Sequence, residues 1–281
     1  MKRTMMIAFT AGMLVFCGGC SKDKKIASQA TEQTKQSSAV GETKETVSEG
    51  VTGTERWWLK RNEDHKTPEV SDKIDLSKYD AYYVDPKPGK KKCIYLTFDC
   101  GYENGFTPKI LDVLKKNKVP AAFFVTKPFI REEPELVKRM KKEGHVVGNH
   151  TVHHKSMPSL SDRDNKQEII DCAEFCKEET GYEMDPFIRP PMGEYNENTL
   201  KLTKKMGYKT IFWSMAYVDF DINKQPGKDY VIQHFRDYAH NGAIPLLHNV
   251  SQSNADALDT VIKDLKKEKY EFRSLKELPD N

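Results

Sequence analysis

The sequence has almost no excess of charge of either sign. Its 45 lysines and arginines are nearly balanced by 42 aspartates and glutamates, which leaves a formal net charge of +3. Three basic clusters are interleaved with acids or lie on apparent helix faces, where solvated lysines are ordinary. They cover residues 90–92, 138–142 and 266–269. We therefore expect no nucleic-acid partner.

The sequence also lacks an apolar run of comfortable membrane-spanning length at its N-terminus. The run over residues 5–16 follows Lys2 and Arg3 and is too short to cross a bilayer easily. Small residues precede Cys20, as in bacterial lipoprotein signals, whose cysteine becomes the lipidated N-terminus, although Cys17 departs from the usual aliphatic residue. We predict that residues 1–20 are a signal peptide of lipoprotein type.

A plain cleaved signal and an uncleaved anchor are the alternatives to lipidation. All three place the rest of the chain outside the cytoplasmic membrane, with the N-terminus as its only membrane anchor. We expect the lipoprotein form to be held on the outer face of a bacterial cytoplasmic membrane.

Large apolar side chains are nearly absent from residues 21–55, which consist mainly of Ser, Thr, Glu, Gln, Lys and Gly. Such a segment cannot bury enough surface to offset the entropy lost on folding. We predict a disordered tether here and one large folded domain over residues 56–281, beginning at Arg56-Trp57-Trp58. We expect the domain to be monomeric.

Cysteine is scarce beyond the signal, where four of the six cysteines remain: Cys93, Cys100, Cys172 and Cys176. Their spacing fits neither a zinc ribbon nor a thioredoxin-type redox motif. Cys172 and Cys176 are four residues apart on a predicted helix, where core packing is their simplest role. The sequence gives no disulfide connectivity.

The sequence does contain a regular alternation of strand-like and helix-like stretches. The runs over residues 94–98 and 121–125 favour strands, whereas residues 258–265 carry the clearest apolar stripe of a helix. Alternation sustained over most of the domain implies a parallel sheet, and this many units favour a closed or nearly closed α/β barrel.

Five polar residues lie at or shortly after the ends of candidate strands. An aspartate at a strand end often only caps a turn, so their joint placement matters more than any one of them. A barrel would gather them on one face, where barrel active sites are built. They are Asp99, His150, Arg189, Asp219 and His248.

A His-Thr-Val-His-His segment begins at His150 and offers metal ligands at i, i+3 and i+4. On a helical turn this spacing places two imidazoles on the same side. The spacing does not choose between His153 and His154 as the second ligand, and a surface histidine cluster is the alternative. Two histidines with one anionic ligand, Asp99 or Cys100, would leave a position open for water.

The sequence resembles the polysaccharide deacetylases, carbohydrate esterase family 4, in five motifs that follow the family's order. They are TFDCG (97–101), HTVHH (150–154), RPPMG (189–193), YVDF (217–220) and LLH (246–248). The match runs from about residue 57 to residue 278. The longer strings TFDCGYENG, GNHTVHH and FWSMAYVDFD are similar to one branch, the delta-lactam-biosynthetic de-N-acetylases, which act on muramic acid residues of peptidoglycan.

The resemblance implies a distorted or partial (β/α) barrel of the NodB homology type. It also implies a metal-dependent N-deacetylase whose partner is a peptidoglycan glycan strand, and which removes acetyl from N-acetylmuramic acid on the way to muramic δ-lactam. The family's roles carry over to six residues: Asp99 as catalytic base, His150 and His154 as ligands of a divalent metal ion, with zinc expected, Arg189 and Asp219 as a pair supporting the base, and His248 as general acid.

Two residues depart from the general family pattern. Cys100 stands where the family has an aspartate that is normally the third metal ligand, and Ala216 replaces a further aspartate, although the branch tolerates both changes. A thiolate at Cys100 would favour zinc, whereas a thiol packed inward would leave only two histidines. Two alternatives stay open: an N-acetylglucosamine deacetylase of peptidoglycan or a chitin-like polymer, and a catalytically silent glycan-binding lipoprotein.

Overall fold

A curved sheet lies at the centre of the computed structural model, which describes residues 53–61, 63–71 and 73–280. The described residues belong to one compact unit. The predicted signal peptide, residues 1–20, and most of the predicted tether lie outside the described residues. Within the described part of the chain, no helix is long and apolar enough to cross a membrane.

The strands of the described residues, in chain order, are β1 (Glu55–Arg56), β2 (Leu59–Lys60), β3 (Glu69–Val70), β4 (Ala81–Tyr82), β5 (Cys93–Ile94), β6 (Thr97–Cys100), β7 (Ala122–Val125), β8 (Val146–Asn149), β9 (Phe187–Ile188), β10 (Glu194–Tyr195), β11 (Lys209–Ile211), β12 (Leu246–His248) and β13 (Glu271–Phe272). The α-helices are α1 (Thr107–Asn117), α2 (Lys127–Glu132), α3 (Pro134–Lys142), α4 (Asp162–Thr180), α5 (Glu197–Lys205), α6 (Lys228–Tyr238) and α7 (Gln252–Lys267).

Seven strands form one parallel sheet in the order β12-β6-β7-β8-β9-β11-β4. The two edge strands, β12 and β4, do not pair with each other in the described residues, so the barrel is open on one side. The structure therefore confirms the distorted or partial (β/α) barrel expected from the sequence. All carboxyl ends of these strands meet at one edge of the sheet, where ligands of such folds bind.

The two faces of the sheet bury different side chains. On one face, apolar residues of β6, β7 and β8 pack with those of α1, α3 and α7 into the larger core. A smaller apolar cluster lies on the other face. Because side chains alternate along a strand, Phe98 and Cys100 of β6 point to the helices, whereas Thr97 and Asp99 point away from them.

One predicted strand is wrong in detail. The strand predicted over residues 94–98 is two strands, because β5 pairs with β13 and only β6 belongs to the main sheet. Between them the chain changes neighbours, and the Tyr95 N–H donates to the Ala243 carbonyl at 2.9 Å. Glu55, the last residue of the predicted tether, pairs with Tyr195 in β1 and β10.

Gly148 in β8 leaves room for the Phe124 ring. A Cβ at this position would lie 2.8 Å from two carbons of that ring and 2.9 Å from the Phe187 carbonyl oxygen. We expect Gly148→Ala to lower the free energy of unfolding by about 1–3 kcal/mol, because overpacking forces backbone and ring to shift. Urea unfolding followed by circular dichroism measures the change.

Gly101→Ala is the matched control for stability. No described atom lies within 4 Å of a Cβ added at Gly101, so we expect its free energy of unfolding to stay within about 0.5 kcal/mol of wild type. Unchanged stability in Gly148→Ala would contradict the close packing around this glycine.

Candidate active site

A fully buried arginine, Arg189, follows β9 and lies at the carboxyl edge of the sheet. Its Nη1 donates to Asp99 Oδ1 at 2.7 Å and its Nη2 donates to Thr97 Oγ1 at 2.8 Å. The Nε group donates to the Ile211 carbonyl at 3.0 Å, and the guanidinium carbon lies 4.3 Å from the centre of the Phe124 ring. The arginine is therefore held by hydrogen bonds in its plane and by an aromatic face.

Asp99 is buried next to this cation. Burial alone would raise its pKa, but the Arg189 guanidinium, with smaller contributions from His150 and His248, outweighs burial and lowers the pKa below the ordinary value. Asp99 is thus a carboxylate at neutral pH. Its Oδ1 faces Arg189, and its Oδ2 lies 3.5 Å from His150 Nε2.

His150 follows β8, and its Nδ1 lies 2.8 Å from the Arg189 carbonyl oxygen. A carbonyl can only accept a hydrogen bond, so Nδ1 carries the proton and Nε2 keeps its lone pair toward Asp99. Burial lowers the pKa of His150 to about 4, against an opposing effect of Asp99, so the ring is neutral at physiological pH.

The segment after His150 is a loop and not a helical turn, so the i, i+4 spacing does not by itself place the imidazoles. Thr151 and His154 have φ angles of 67° and 53°, in the left-handed region that β-branched residues rarely adopt. This turn brings the His154 ring to 4.8 Å from the His150 ring, measured between centroids. Burial lowers the pKa of His154 as well, so both imidazoles are in the neutral form that can bind a metal ion.

Glu168 on α4 holds this loop in place and binds the His153 ring. Its carboxylate accepts hydrogen bonds from the backbone N–H groups of Val152 and His153 at 3.0 and 2.8 Å. The His153 Nδ1 lies 2.6 Å from the same carboxylate, and its side chain is 62% exposed. His154 therefore lies beside His150, while His153 does not. The sequence signal for Glu168 was an acid on the inward face of a predicted helix.

Asp219 supports His248 rather than pairing with Arg189, which corrects the pairing expected from the resemblance. Its Oδ1 lies 2.7 Å from His248 Nδ1, and its Oδ2 accepts the His248 backbone N–H at 2.8 Å. Asp219 does not reach Arg189 because the loop after β11 carries it toward β12. The N–H donors of Arg189 are bonded instead to Asp99, Thr97 and two backbone carbonyls.

Two further residues, which sequence reasoning missed, complete this arrangement. Asn254 at the start of α7 donates from Nδ2 to Asp219 Oδ2 at 2.6 Å, and its Oδ1 accepts the Tyr217 hydroxyl at 2.6 Å. Burial would lower the pKa of His248, but the charge and hydrogen bond of Asp219 outweigh burial and raise it. His248 can therefore donate a proton near neutral pH.

Cys100 does not point to the site. It is completely buried in the larger core. Burial, followed by the charges of Asp99 and Glu103, raises the pKa of its thiol well above the ordinary value. Of the two alternatives that the sequence left open, the structure has the protonated thiol packed inward.

Two neutral imidazoles and a carboxylate are the donors available to a metal ion. Among the residues that the structure describes, no three histidine, cysteine, aspartate or glutamate side chains are already arranged around a metal position. His150 and His154 nevertheless form a close pair with Asp99 Oδ2 beside one of them. Imidazole and carboxylate ligands suit a borderline divalent ion such as zinc, so the donor set fits one.

These groups open into a cavity of about 830 Å³, a size that accommodates a sugar ligand. Asp99, His150, His154 and His248 line one part of it. Its remaining wall includes apolar and aromatic side chains, among them Tyr102, Trp213 and Phe220. The cavity therefore combines an ionised base, a proton donor and apolar surfaces for a sugar ring.

Replacing Asp219 by Asn should lower the pKa of His248, because the charge that favours the imidazolium is lost. A ¹H–¹³C NMR titration of the histidine rings measures the shift, with the exposed Asp229→Asn as control. Since the folded-state pKa of wild-type His248 is raised, its contribution to stability is complete below about pH 6.5 and is lost as the pH rises through that pKa.

The difference in free energy of unfolding between wild type and Asp219→Asn should accordingly shrink as the pH rises through the pKa of His248. A His248 ring that titrates alike in both proteins would contradict this assignment.

Comparisons with known proteins agree with the geometry. A model of the family described as polysaccharide deacetylase matches residues 86–211. The chain is 46% identical over 224 residues to the peptidoglycan-N-acetylmuramic acid deacetylase PdaA of Bacillus subtilis, covering 79% of this chain and 84% of that protein. It is 34% identical over 202 residues to a peptidoglycan-N-acetylglucosamine deacetylase of Bacillus cereus, covering 70% of this chain and 93% of that protein.

A solved structure of Bacillus subtilis PdaA, described as a family 4 carbohydrate esterase, superimposes with a TM-score of 0.77 at 45% identity, over 81% of this chain and 97% of that one. The family and the enzyme class expected from the sequence are thereby confirmed. The chain belongs to the polysaccharide deacetylases, carbohydrate esterase family 4, and is a hydrolase that acts on amide bonds.

Proposed function

We propose that the protein is a metal-dependent peptidoglycan deacetylase that removes the acetyl group from N-acetylmuramic acid residues. The observation that carries the proposal is that one cavity holds a carboxylate paired with a buried arginine and an imidazole paired with a buried carboxylate. Asp99 is ionised beside Arg189, and His248 is held ready for protonation by Asp219. Amide hydrolysis requires such a base for water and such an acid for the departing amine.

In the proposed reaction, Asp99 takes a proton from the attacking water as that water adds to the acetyl carbonyl. The tetrahedral species then collapses, and His248 gives a proton to the amine nitrogen as the carbon–nitrogen bond breaks. The products are acetate and a glycan that carries a free amine. His150 and His154 would hold a divalent ion, with zinc expected. When bound, such an ion would polarise the carbonyl and the water.

The choice of N-acetylmuramic acid is supported by the higher identity to the relative named for that sugar, 46%, than to the relative named for N-acetylglucosamine, 34%. A deacetylated muramic acid residue carries its amine next to its own lactyl carboxyl group. Such proximity favours intramolecular amide formation in a later step, with loss of water, so muramic δ-lactam is the product expected further on.

We place this activity on the outer face of the bacterial cytoplasmic membrane. The proposal rests on the lipoprotein-type signal over residues 1–20 and on the polar tether that follows it. The tether would let a monomeric domain reach glycan strands in the cell wall while the lipidated N-terminus stays in the membrane.

The test is acetate release by the full chain, loaded with zinc, from purified glycan strands freed of stem peptides, followed by mass analysis of the sugars. We expect loss of acetyl from muramic acid. His248→Ala should reduce the turnover number by about 10²–10⁴-fold, as is typical when a general acid is removed. His153→Ala is the matched control, because its ring faces Glu168, and it should keep most of the activity.

Acetyl loss confined to glucosamine would favour the rival deacetylase and refute the proposed sugar. Glycan binding without any acetate release would show instead a silent binding protein.

A further inference from the structure

An exposed permanent cation lies in the wall of the cavity. Among the described residues that line it, Arg56 is the only lysine or arginine. Arg189 is completely buried and bonded to Asp99 and to other acceptors, so it has no exposed surface for a ligand. The Arg56 side chain, in contrast, is 71% exposed. A second anionic group on a bound substrate would therefore meet Arg56 first.

Arg56 is fixed at this place by the strand that carries it. In β1 it pairs with Glu194 of β10, and its Nη2 donates to Glu194 Oε1 at 2.7 Å. The next residue, Trp57, is buried, donating its N–H to the Gly193 carbonyl at 2.8 Å and its Nε1–H to the Trp213 carbonyl at 2.9 Å. The backbone that presents Arg56 is thus anchored on the cavity wall.

The contact with Glu194 leaves donors for a ligand. A guanidinium has five N–H donors in one plane, in a fork that matches a carboxylate in a bidentate geometry. Glu194 engages Nη2, and its own side chain is only 14% exposed. The nearby carboxylate also reduces the attraction of Arg56 for anions in general, so a ligand must be positioned by other contacts to use it.

The two sugars of peptidoglycan differ in one anionic group. N-acetylmuramic acid carries a 3-O-lactyl group next to its acetamide, whereas N-acetylglucosamine carries a hydroxyl. The lactyl carboxylate is free only where no stem peptide is attached. Asp99 and His248, where the acetamide would react, and Arg56 line the same cavity. A lactyl carboxylate borne by the neighbouring ring carbon would therefore lie in the cavity that Arg56 lines.

We propose that Arg56 binds the lactyl carboxylate of a peptide-free N-acetylmuramic acid residue and thereby selects this sugar. The inference rests on the proposed function. Arg56 precedes residues 86–211, the part matched by the family model, so the selectivity comes from the N-terminal arm and not from the shared motifs.

The experiment compares the full chain on two preparations of the same peptide-free glycan strands. In one preparation the lactyl carboxylates are free, and in the other they are converted to neutral methylamides. We expect wild type to show kcat/KM about tenfold higher on the free carboxylates, as for one charge-assisted hydrogen bond at an exposed site. Arg56→Gln should lose this preference, mainly through a higher KM, and Arg56→Lys should keep part of it.

Arg131→Gln is the matched control. Arg131 is 62% exposed and pairs with Glu132 at 3.1 Å, and it does not line the cavity, so we expect wild-type kinetics on both preparations. If wild type and Arg56→Gln have equal kcat/KM on free carboxylates, the proposed role of Arg56 is wrong. The proposed function still stands in that case, provided that wild type removes acetyl from muramic acid. Absence of acetyl loss from muramic acid in wild type would overturn both.

Discussion

The buried ion pair between Arg189 and Asp99 is the interaction on which the site depends. A buried charge pair is tolerable only when its remaining donors and acceptors are satisfied. Here the guanidinium also bonds Thr97 and two backbone carbonyls and lies over the Phe124 ring. The Arg189 carbonyl in turn fixes the tautomer of His150. Loss of Asp99 would leave an unpaired buried cation, at a cost of about 3–5 kcal/mol, so the same contact supports the fold and the chemistry.

Asp99 and Asp219 have different roles because their neighbours differ. Asp99 lies against a permanent cation and is kept ionised, as a base must be. Asp219 lies against an imidazole and raises the pKa of that ring, as an acid requires. Asn254 and the His248 backbone N–H orient Asp219, so the hydrogen bonds around the cavity assign the roles of acid and base.

The sequence predicts the features of this structure that follow from the spacing of apolar residues and from the parallel direction of the strands. Strand and helix alternation predicts a closed or nearly closed α/β barrel, and the resemblance predicts its distorted or partial form. Parallel strand ends predict that one group of polar residues meets: Asp99, His150, Arg189, Asp219 and His248. The inward packing of Cys100 also follows from strand alternation, since Asp99 and Cys100 must face opposite sides of the sheet. The resemblance, in which this position normally carries a metal ligand, favours the opposite orientation.

The remaining features depend on loop conformation and on distant residues. The left-handed turn after His150 and the path of the loop that carries Asp219 have no periodic signal in the sequence. The spacing alone therefore does not choose between His153 and His154, and the pairing of Arg189 with Asp219 is only what the resemblance implies. Glu168 and Asn254 act from helices far along the chain, and Arg56 from an arm outside the alternating pattern.

One measurement tests the central claim that Arg189 keeps the base ionised: a ¹³C NMR titration of the Asp99 side-chain carboxyl in the metal-free protein. The account predicts no titration between about pH 4 and pH 8, and protonation within that window would contradict it.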